Sequence, residues 1–193
     1  MSLLRAFIAL EIPPEIHQAI EQETAPIRAA LNASLVRWVP VDNIHLTLKF
    51  LGDVSPANIE LLSQMLSVEV GQHQSFEMGF AELGAFPNPR RPRVIWIGIQ
   101  APAALEALQH GIEAAAATLG YPAEKRPFSP HLTIGRVKQN VNSAGMQKIR
   151  TALEETEVGS LGTIRVTAIH LFKSDLKPTG AVYTRLFSAP LKT

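Results

Sequence analysis

Apolar positions along the chain change period several times, and each change marks an element. Leu3–Leu10 is apolar first in alternation and then continuously, which predicts a buried strand. After Pro13-Pro14, apolar residues recur at helical spacing over Glu15–Leu31, with proline in the first turn, where a missing N–H is harmless. Pro26 is expected to bend or split that helix. Leu35–Val39 and Ile44–Leu51 predict strands joined by a turn at Pro40–Asn43. Ser55-Pro56 opens a second helix, with Ser55 as its expected cap and Ile59, Leu62, Leu66 and Val70 on one face. Phe76–Phe86 and Val94–Gln100 are further strands, separated by the irregular Pro-Asn-Pro-Arg-Arg-Pro-Arg run at 87–93. An Ala-rich helix covers Ala103–Leu119 and closes at Gly120. Pro127 and Pro130 frame a strand at His131–Val137, a helix follows at Ser143–Glu155, and strands complete the chain at Thr163–Ser174 and Ala181–Phe187. The order β-α-β-β-α-β-β-α-β-α-β-β predicts an α+β fold with mainly antiparallel sheets.

Composition narrows the class. The 193 residues, 46% hydrophobic and 18% charged, suit a globular chain that buries a sizeable core. No apolar run approaches the ~20 residues of a membrane span, so no membrane association is expected. The N-terminus lacks a small-residue cleavage site, and Glu11 and two prolines follow it directly, so no signal peptide is expected. The absence of cysteine excludes disulfides, thiolate metal sites and a Cys nucleophile, and fits a cytoplasmic location. The net charge of +1 is too mild for a long nucleic-acid track, but the basic excess lies in the second half, where a local anionic site is permitted.

The chemistry lies in a repeat. His-Leu-Thr-Leu at 45–48 returns as His-Leu-Thr-Ile at 131–134. A strand sends residues i and i+2 to one face and i+1 and i+3 to the other. Each copy therefore aims an imidazole and a hydroxyl one way and buries two aliphatic side chains the other way. Two such strands facing one another make a pocket of two histidines and two threonines. Histidines titrate near neutrality and can share the acid and base roles of a phosphodiester cleavage, while hydroxyls and a guanidinium suit the non-bridging oxygens. No metal is demanded. Alternation continued past the first motif puts Lys49 on the same face as His45 and Thr47. Past the second motif it sends Arg136 toward the core, where an unpaired guanidinium is costly. Either the strand ends or bulges at Gly135, or Arg136 lies at the rim; the rim is the expectation, within reach of a phosphate.

Through these two motifs the chain resembles the 2H phosphoesterase superfamily, and within it the bacterial RNA 2′,3′-cyclic phosphodiesterases, the LigT-like 2′-5′ RNA ligases. Supporting segments run the length of the chain: Arg5-Ala-Phe-Ile-Ala-Leu10, Val36-Arg-Trp-Val-Pro40, the stretch from His45 to Gly52, Arg91-Pro-Arg-Val-Ile-Trp96, Arg126 to Arg136, and Leu171-Phe-Lys-Ser174 leading to Tyr183. The resemblance implies one bilobal domain over 1–193, with pseudo-twofold symmetry and a cleft between lobes. It implies His45 as general acid, His131 as general base, and Thr47, Thr133 and Arg136 on the phosphate, without a cofactor. The implied substrate is an RNA carrying a 2′,3′-cyclic phosphate end, tRNA halves among them, opened to a 2′-phosphate by a monomer. Reverse joining of RNA halves is a further implied activity.

Other readings compete. The same site could serve a small cyclic nucleotide, an ADP-ribose cyclic phosphate or a 2′-5′ oligoadenylate. A non-catalytic module that captures RNA ends is an alternative of another class. A His-based metallohydrolase lacks its ligand spacing here, and no phosphate loop or nucleophile elbow is present. Trp38, Phe128 and Trp96 are expected to pack in the core, although Trp38 and Phe128 flank the motif strands. Arg90, Arg91 and Arg93 form an exposed basic loop. His17, His73, His110 and His170 are expected at surface or satisfied core positions.

Overall fold

The computed structural model describes residues 2–177 and 180–193. Its strands are β1 (Leu4–Glu11), β2 (Val36–Trp38), β3 (His45–Val54), β4 (Phe76–Phe86), β5 (Val94–Gln100), β6 (His131–Val137), β7 (Ser160–Val166), β8 (Ala168–Lys177) and β9 (Gly180–Pro190). Its helices are α1 (Pro14–Ala30), α2 (Ile59–Val70), α3 (Ala103–Thr118) and α4 (Ser143–Glu155). The strands form two sheets, ordered β3-β1-β8-β9 and β2-β6-β5-β4-β7, and every strand pairing within them is antiparallel.

The two orders superimpose in kind. β3 corresponds to β6, β1 to β5, β8 to β4 and β9 to β7, with β2 added at one edge. Each motif strand is thus reached through the same neighbours. Neither sheet is built from one half of the chain, because β4 crosses into the second sheet and β8 returns to the first. Helices cross as well: α2 and α3 pack on the first sheet, while α1 lies against β7 and α4 of the second. A buried aliphatic cluster runs through both, from Ile8, Leu46 and Leu171 to Ile95, Leu132 and Ile134. Interleaving of this kind makes the two lobes hard to separate. It holds β3 and β6 side by side, with backbones approaching within 8 Å.

Three local expectations change. The single strand expected at Thr163–Ser174 is two, β7 and β8, which break at Thr167 and enter different sheets. Ser55 makes no side-chain cap; it precedes a 3-10 turn at Pro56–Asn58 that leads into α2. Pro26 lies inside α1 without splitting it. That helix keeps its amphipathic face, burying Ile16, Ile20 and Ile27.

Candidate active site

Both motif strands carry the same irregularity. Opposite β3, pairing jumps from Ile8↔Lys49 to Ala9↔Thr47, so Leu48 is an extra residue. Opposite β6 it jumps from Ile95↔Gly135 to Trp96↔Thr133, so Ile134 is extra. A bulge of one residue inverts the alternation beyond it. Lys49 therefore turns inward, where it is only 3% exposed, and Phe50 turns outward. In the second strand Gly135 turns inward and Arg136 outward. Arg136 returns to the face of His131 and Thr133 through a bulge one residue earlier than Gly135.

Lys49 is accordingly not a cleft residue. Its Nζ lies 2.6 Å from Glu113 Oε2 and donates to the Pro122 carbonyl at 2.6 Å, an ion pair inside the first lobe. Glu113 Oε2 also accepts from the Glu124 backbone N–H at 3.1 Å. At the equivalent place Gly135 leaves room for Trp38: a Cβ there would lie 2.8 Å from the indole Cε3. Trp38 packs as expected, donates Nε1–H to the Leu31 carbonyl at 3.1 Å, and has the Arg28 guanidinium over its ring at 4.9 Å. Trp96 likewise lies flat over Gly84, and Phe128 packs on the core cluster.

The two imidazoles are held alike. His45 Nδ1 is 2.8 Å from the Asn43 carbonyl, and His131 Nδ1 is 2.7 Å from the Ser129 carbonyl, each two residues upstream. A carbonyl only accepts, so each ring keeps its proton on Nδ1 and offers Nε2 as the free nitrogen. Phe7 stacks on His45 with centroids 4.8 Å apart, and Tyr183 meets the same ring edge-on at 5.1 Å. Phe86 meets His131 edge-on at 4.9 Å. Burial lowers the pKa of both histidines, against a raising effect of the Asn43 and Ser129 bonds; Arg136 lowers that of His131 further. Burial raises the Tyr183 pKa, opposed by Arg136, Arg5 and Arg37. Arg136 thus stands within electrostatic reach of His131 on one side and of Tyr183 on the other, and Tyr183 touches His45.

Thr47 lies two residues along the strand from His45, and Thr133 two from His131, on the same outward faces; both are half-buried. Among the described residues no three His, Asp or Glu side chains gather where a metal could sit, and no helix is long and apolar enough to cross a membrane. The arginines of the 87–93 loop are exposed, as expected. His17 reaches the Ile44 carbonyl at 3.1 Å and steadies the segment before His45. His73 pairs with Glu69 at 3.0 Å, and His110 is exposed. His170 departs from expectation: it is buried on the cleft face opposite Ala9, 3.7 Å from Glu11, and its Nδ1 has no partner.

A model of the family described as LigT like Phosphoesterase matches residues 10–96 and again 97–183, one copy per motif. The chain belongs to the LigT-like phosphoesterases. The boundary at 96/97 falls inside β5; residues 10–96 hold β3 of the first sheet with β2 and β4 of the second, and 97–183 hold β8 of the first with β6 and β7 of the second, so each family repeat spans both sheets. Among relatives, the RNA 2′,3′-cyclic phosphodiesterase of Methanothermobacter thermautotrophicus is 32% identical over 94% of this chain and 95% of its own length. That of Archaeoglobus fulgidus is 34% identical over 95% of this chain and 98% of its own. The crystal structure of E. coli LigT complexed with 3′-AMP covers 99% of both chains with a TM-score of 0.77 and 28% identity. The two-lobed α+β architecture is the one this family shares.

Two residues that the sequence did not single out as site members now stand in the cleft. Arg37 lies directly opposite Arg136 in the β2–β6 ladder. Tyr183, which the sequence offers only as part of the resemblance, reaches His45 from β9, whose Ala181 carbonyl accepts from the Asn43 side chain at 2.8 Å.

Proposed function

We propose that this chain hydrolyses the 2′,3′-cyclic phosphodiester at the end of an RNA to a 2′-phosphomonoester. His131 is the general base and His45 the general acid, while Thr47, Thr133 and Arg136 bind the phosphate. The observation that carries this reading is the matched pinning of both imidazoles. Two symmetric strands each present one Nε2 and one hydroxyl, with Nδ1 tied to a carbonyl at 2.8 and 2.7 Å. A phosphorus between them meets a base on one side and an acid on the other.

In this reaction Nε2 of neutral His131 takes a proton from water as its oxygen bonds to phosphorus. The bond from phosphorus to O3′ breaks, and protonated His45 gives its proton to that oxygen. The threonine hydroxyls and the Arg136 fork hold the non-bridging oxygens as charge develops. If the 5′-hydroxyl of another RNA takes the place of water, the same bond breaks and a 2′-5′ linkage forms without ATP. The names of relatives at 32% and 34% identity support the RNA substrate. We further assign the enzyme to RNA ends such as tRNA halves, acting as a monomer in a reducing cytoplasm, a reading that the cysteine-free sequence fits.

The test is incubation with a short RNA ending in a 2′,3′-cyclic phosphate, with and without chelator, followed by location of the product phosphate. Chelator-insensitive conversion to the 2′-phosphate is expected. Binding of the RNA end without turnover would transfer the assignment to an end-capture module. Activity lost to chelator and restored by a divalent ion would transfer it to a metallohydrolase.

A further inference from the structure

A cyclic phosphodiester carries one negative charge, yet three guanidiniums line this cleft. Arg37 and Arg136 are direct cross-strand partners on the outward face of the second sheet, and both are exposed. Like charges directly opposite one another destabilise a sheet, so the pairing costs the fold and invites an anion. Arg5 is exposed on the first sheet, two residues before Phe7 and so on the face of Phe7 and His45. Among the described residues no carboxylate forms an ion pair with any of the three. Arg5 stands opposite Asp53 in its ladder without pairing to it, and Glu11, the carboxylate nearest His45 in register, is taken by Arg185 at 2.9 Å. Tyr183 meets the His45 ring edge-on at 5.1 Å and the Phe7 ring at 5.0 Å on that same face, and the pairings Ala6↔Lys173 and Ser174↔Tyr183 carry the ladder from the neighbourhood of Arg5 to Tyr183; all three arginines also oppose the rise in the Tyr183 pKa.

Two threonine hydroxyls and the Arg136 fork already supply donors for both non-bridging oxygens of a cyclic phosphate. Arg5 and Arg37 then bring two positive charges that this group does not balance. We infer that Arg5, from the first sheet, and Arg37, from the second, form a second anion subsite beside Tyr183, which takes a phosphate on O5′ of the nucleotide whose cyclic phosphate is cleaved. This inference rests on the proposed reaction and adds to it a substrate preference. Arg37 lies one strand spacing, ~4.8 Å, from Arg136, so the second phosphate belongs to the same nucleotide or to its link with the preceding one.

Two chemical sources present such a group: the internucleotide phosphate of an RNA chain, and the 5′-phosphate of a small nucleotide. Three substrates separate them: adenosine 2′,3′-cyclic phosphate, the same compound with a 5′-phosphate, and a dinucleotide ending in the cyclic phosphate. Wild-type kcat/KM is expected to rise on the order of tenfold for each guanidinium engaged when O5′ carries a phosphate. A gain shared by the last two substrates assigns the subsite to the phosphate itself; a gain only with the dinucleotide assigns it to the RNA chain. Arg5→Gln and Arg37→Gln should shrink that gain, and Arg→Lys should restore part of it. Because both side chains are exposed, neither variant should melt below wild type, and Arg37→Gln should melt at or slightly above it, since it removes the like-charge pair with Arg136. A kcat/KM equal for all three substrates would overturn the inference, and so would variants that lower all three by the same factor.

Binding separates this outcome from failure of the proposed reaction. Calorimetric titration with adenosine 2′-phosphate and with adenosine 2′,5′-bisphosphate needs no turnover. Tighter binding of the bisphosphate, lost in Arg5→Gln and Arg37→Gln, upholds the subsite even if no cyclic phosphate is hydrolysed. Equal affinity for the two ligands overturns it even if hydrolysis is fast.

Discussion

Phe50 occupies in the first motif strand the place that Arg136 occupies in the second. Each follows its histidine by five residues, each lies two positions past an equivalent bulge, and each faces outward. One lobe therefore gives the cleft an aromatic ring, tilted 6.3 Å from Phe7, where the other gives a guanidinium. The symmetry of the backbone is kept while the chemistry is divided.

That division predicts an unequal response. Arg136→Ala should weaken competitive inhibition by inorganic phosphate and lower kcat/KM together, because a charge-assisted contact worth about 1.5–3 kcal/mol is lost, roughly 10- to 150-fold. Phe50, 67% exposed, should cost less than about 1 kcal/mol of stability when changed to Ala. An Arg136→Ala enzyme whose phosphate inhibition constant matches wild type would remove Arg136 from the phosphate site.

The catalytic pair should behave as one unit. His45→Ala or His131→Ala should each lower kcat by ~10²–10⁴ while leaving affinity for a 2′-phosphate end largely intact. The double variant should be far less than multiplicatively worse. Single-turnover rates across the four proteins test this, and fully multiplicative losses would mean that the histidines act in independent steps.

The pattern of elements and the paired motifs were legible in the sequence because periodicity is local. What was not legible depends on partners. Lys49 was assigned to the cleft face by alternation, but the bulge at Leu48 exists only in its pairing with Ile8 and Ala9, so the strand's own residues carry no mark of it. For Arg136 the sequence offers the rim or a bulge at Gly135; the bulge is at Ile134, one residue earlier, and exists only in the pairing of β6 with β5. Nothing in the sequence singles out Arg37; its place opposite Arg136 exists only in the register of β2 with β6. The break at Thr167, which sends β7 and β8 to different sheets, is topological; the apolar run continues across it.

The inward turn of Lys49 carries its own consequence for stability. Its side chain is 3% exposed and that of Glu113 12%, so removal of either leaves a buried, uncompensated charge. Lys49→Ala and Glu113→Ala should each cost about 3–5 kcal/mol in denaturant unfolding. The double change Lys49→Met, Glu113→Leu should recover most of that loss, since an apolar pair of similar volume restores packing without a charge to desolvate. A Lys49→Ala protein within about 1 kcal/mol of wild type would show that the pair is solvated in solution.

Acidity ties the site to its chemistry. Burial lowers the pKa of His45 and of His131, so both folded values lie below the ordinary ~6.5. The stability these shifts contribute is therefore present above about 6.5 and is lost as pH falls through the folded values, when the unfolded chain binds more protons than the folded one. Catalysis needs one ring neutral and one protonated, which the free enzyme reaches only on the acid side of neutrality. The bell of kcat/KM against pH should accordingly centre below about 6.5, with limbs that belong to the coupled pair. A bound phosphate anion favours both protonated rings, so the kcat bell should lie at higher pH than that of kcat/KM. Arg136→Ala removes a charge that lowers the His131 pKa, and should move one limb of the kcat/KM bell upward. Profiles measured in chelator test this: a kcat/KM maximum above pH 7 in the wild type would mean that burial does not hold the acid–base pair below the ordinary histidine range.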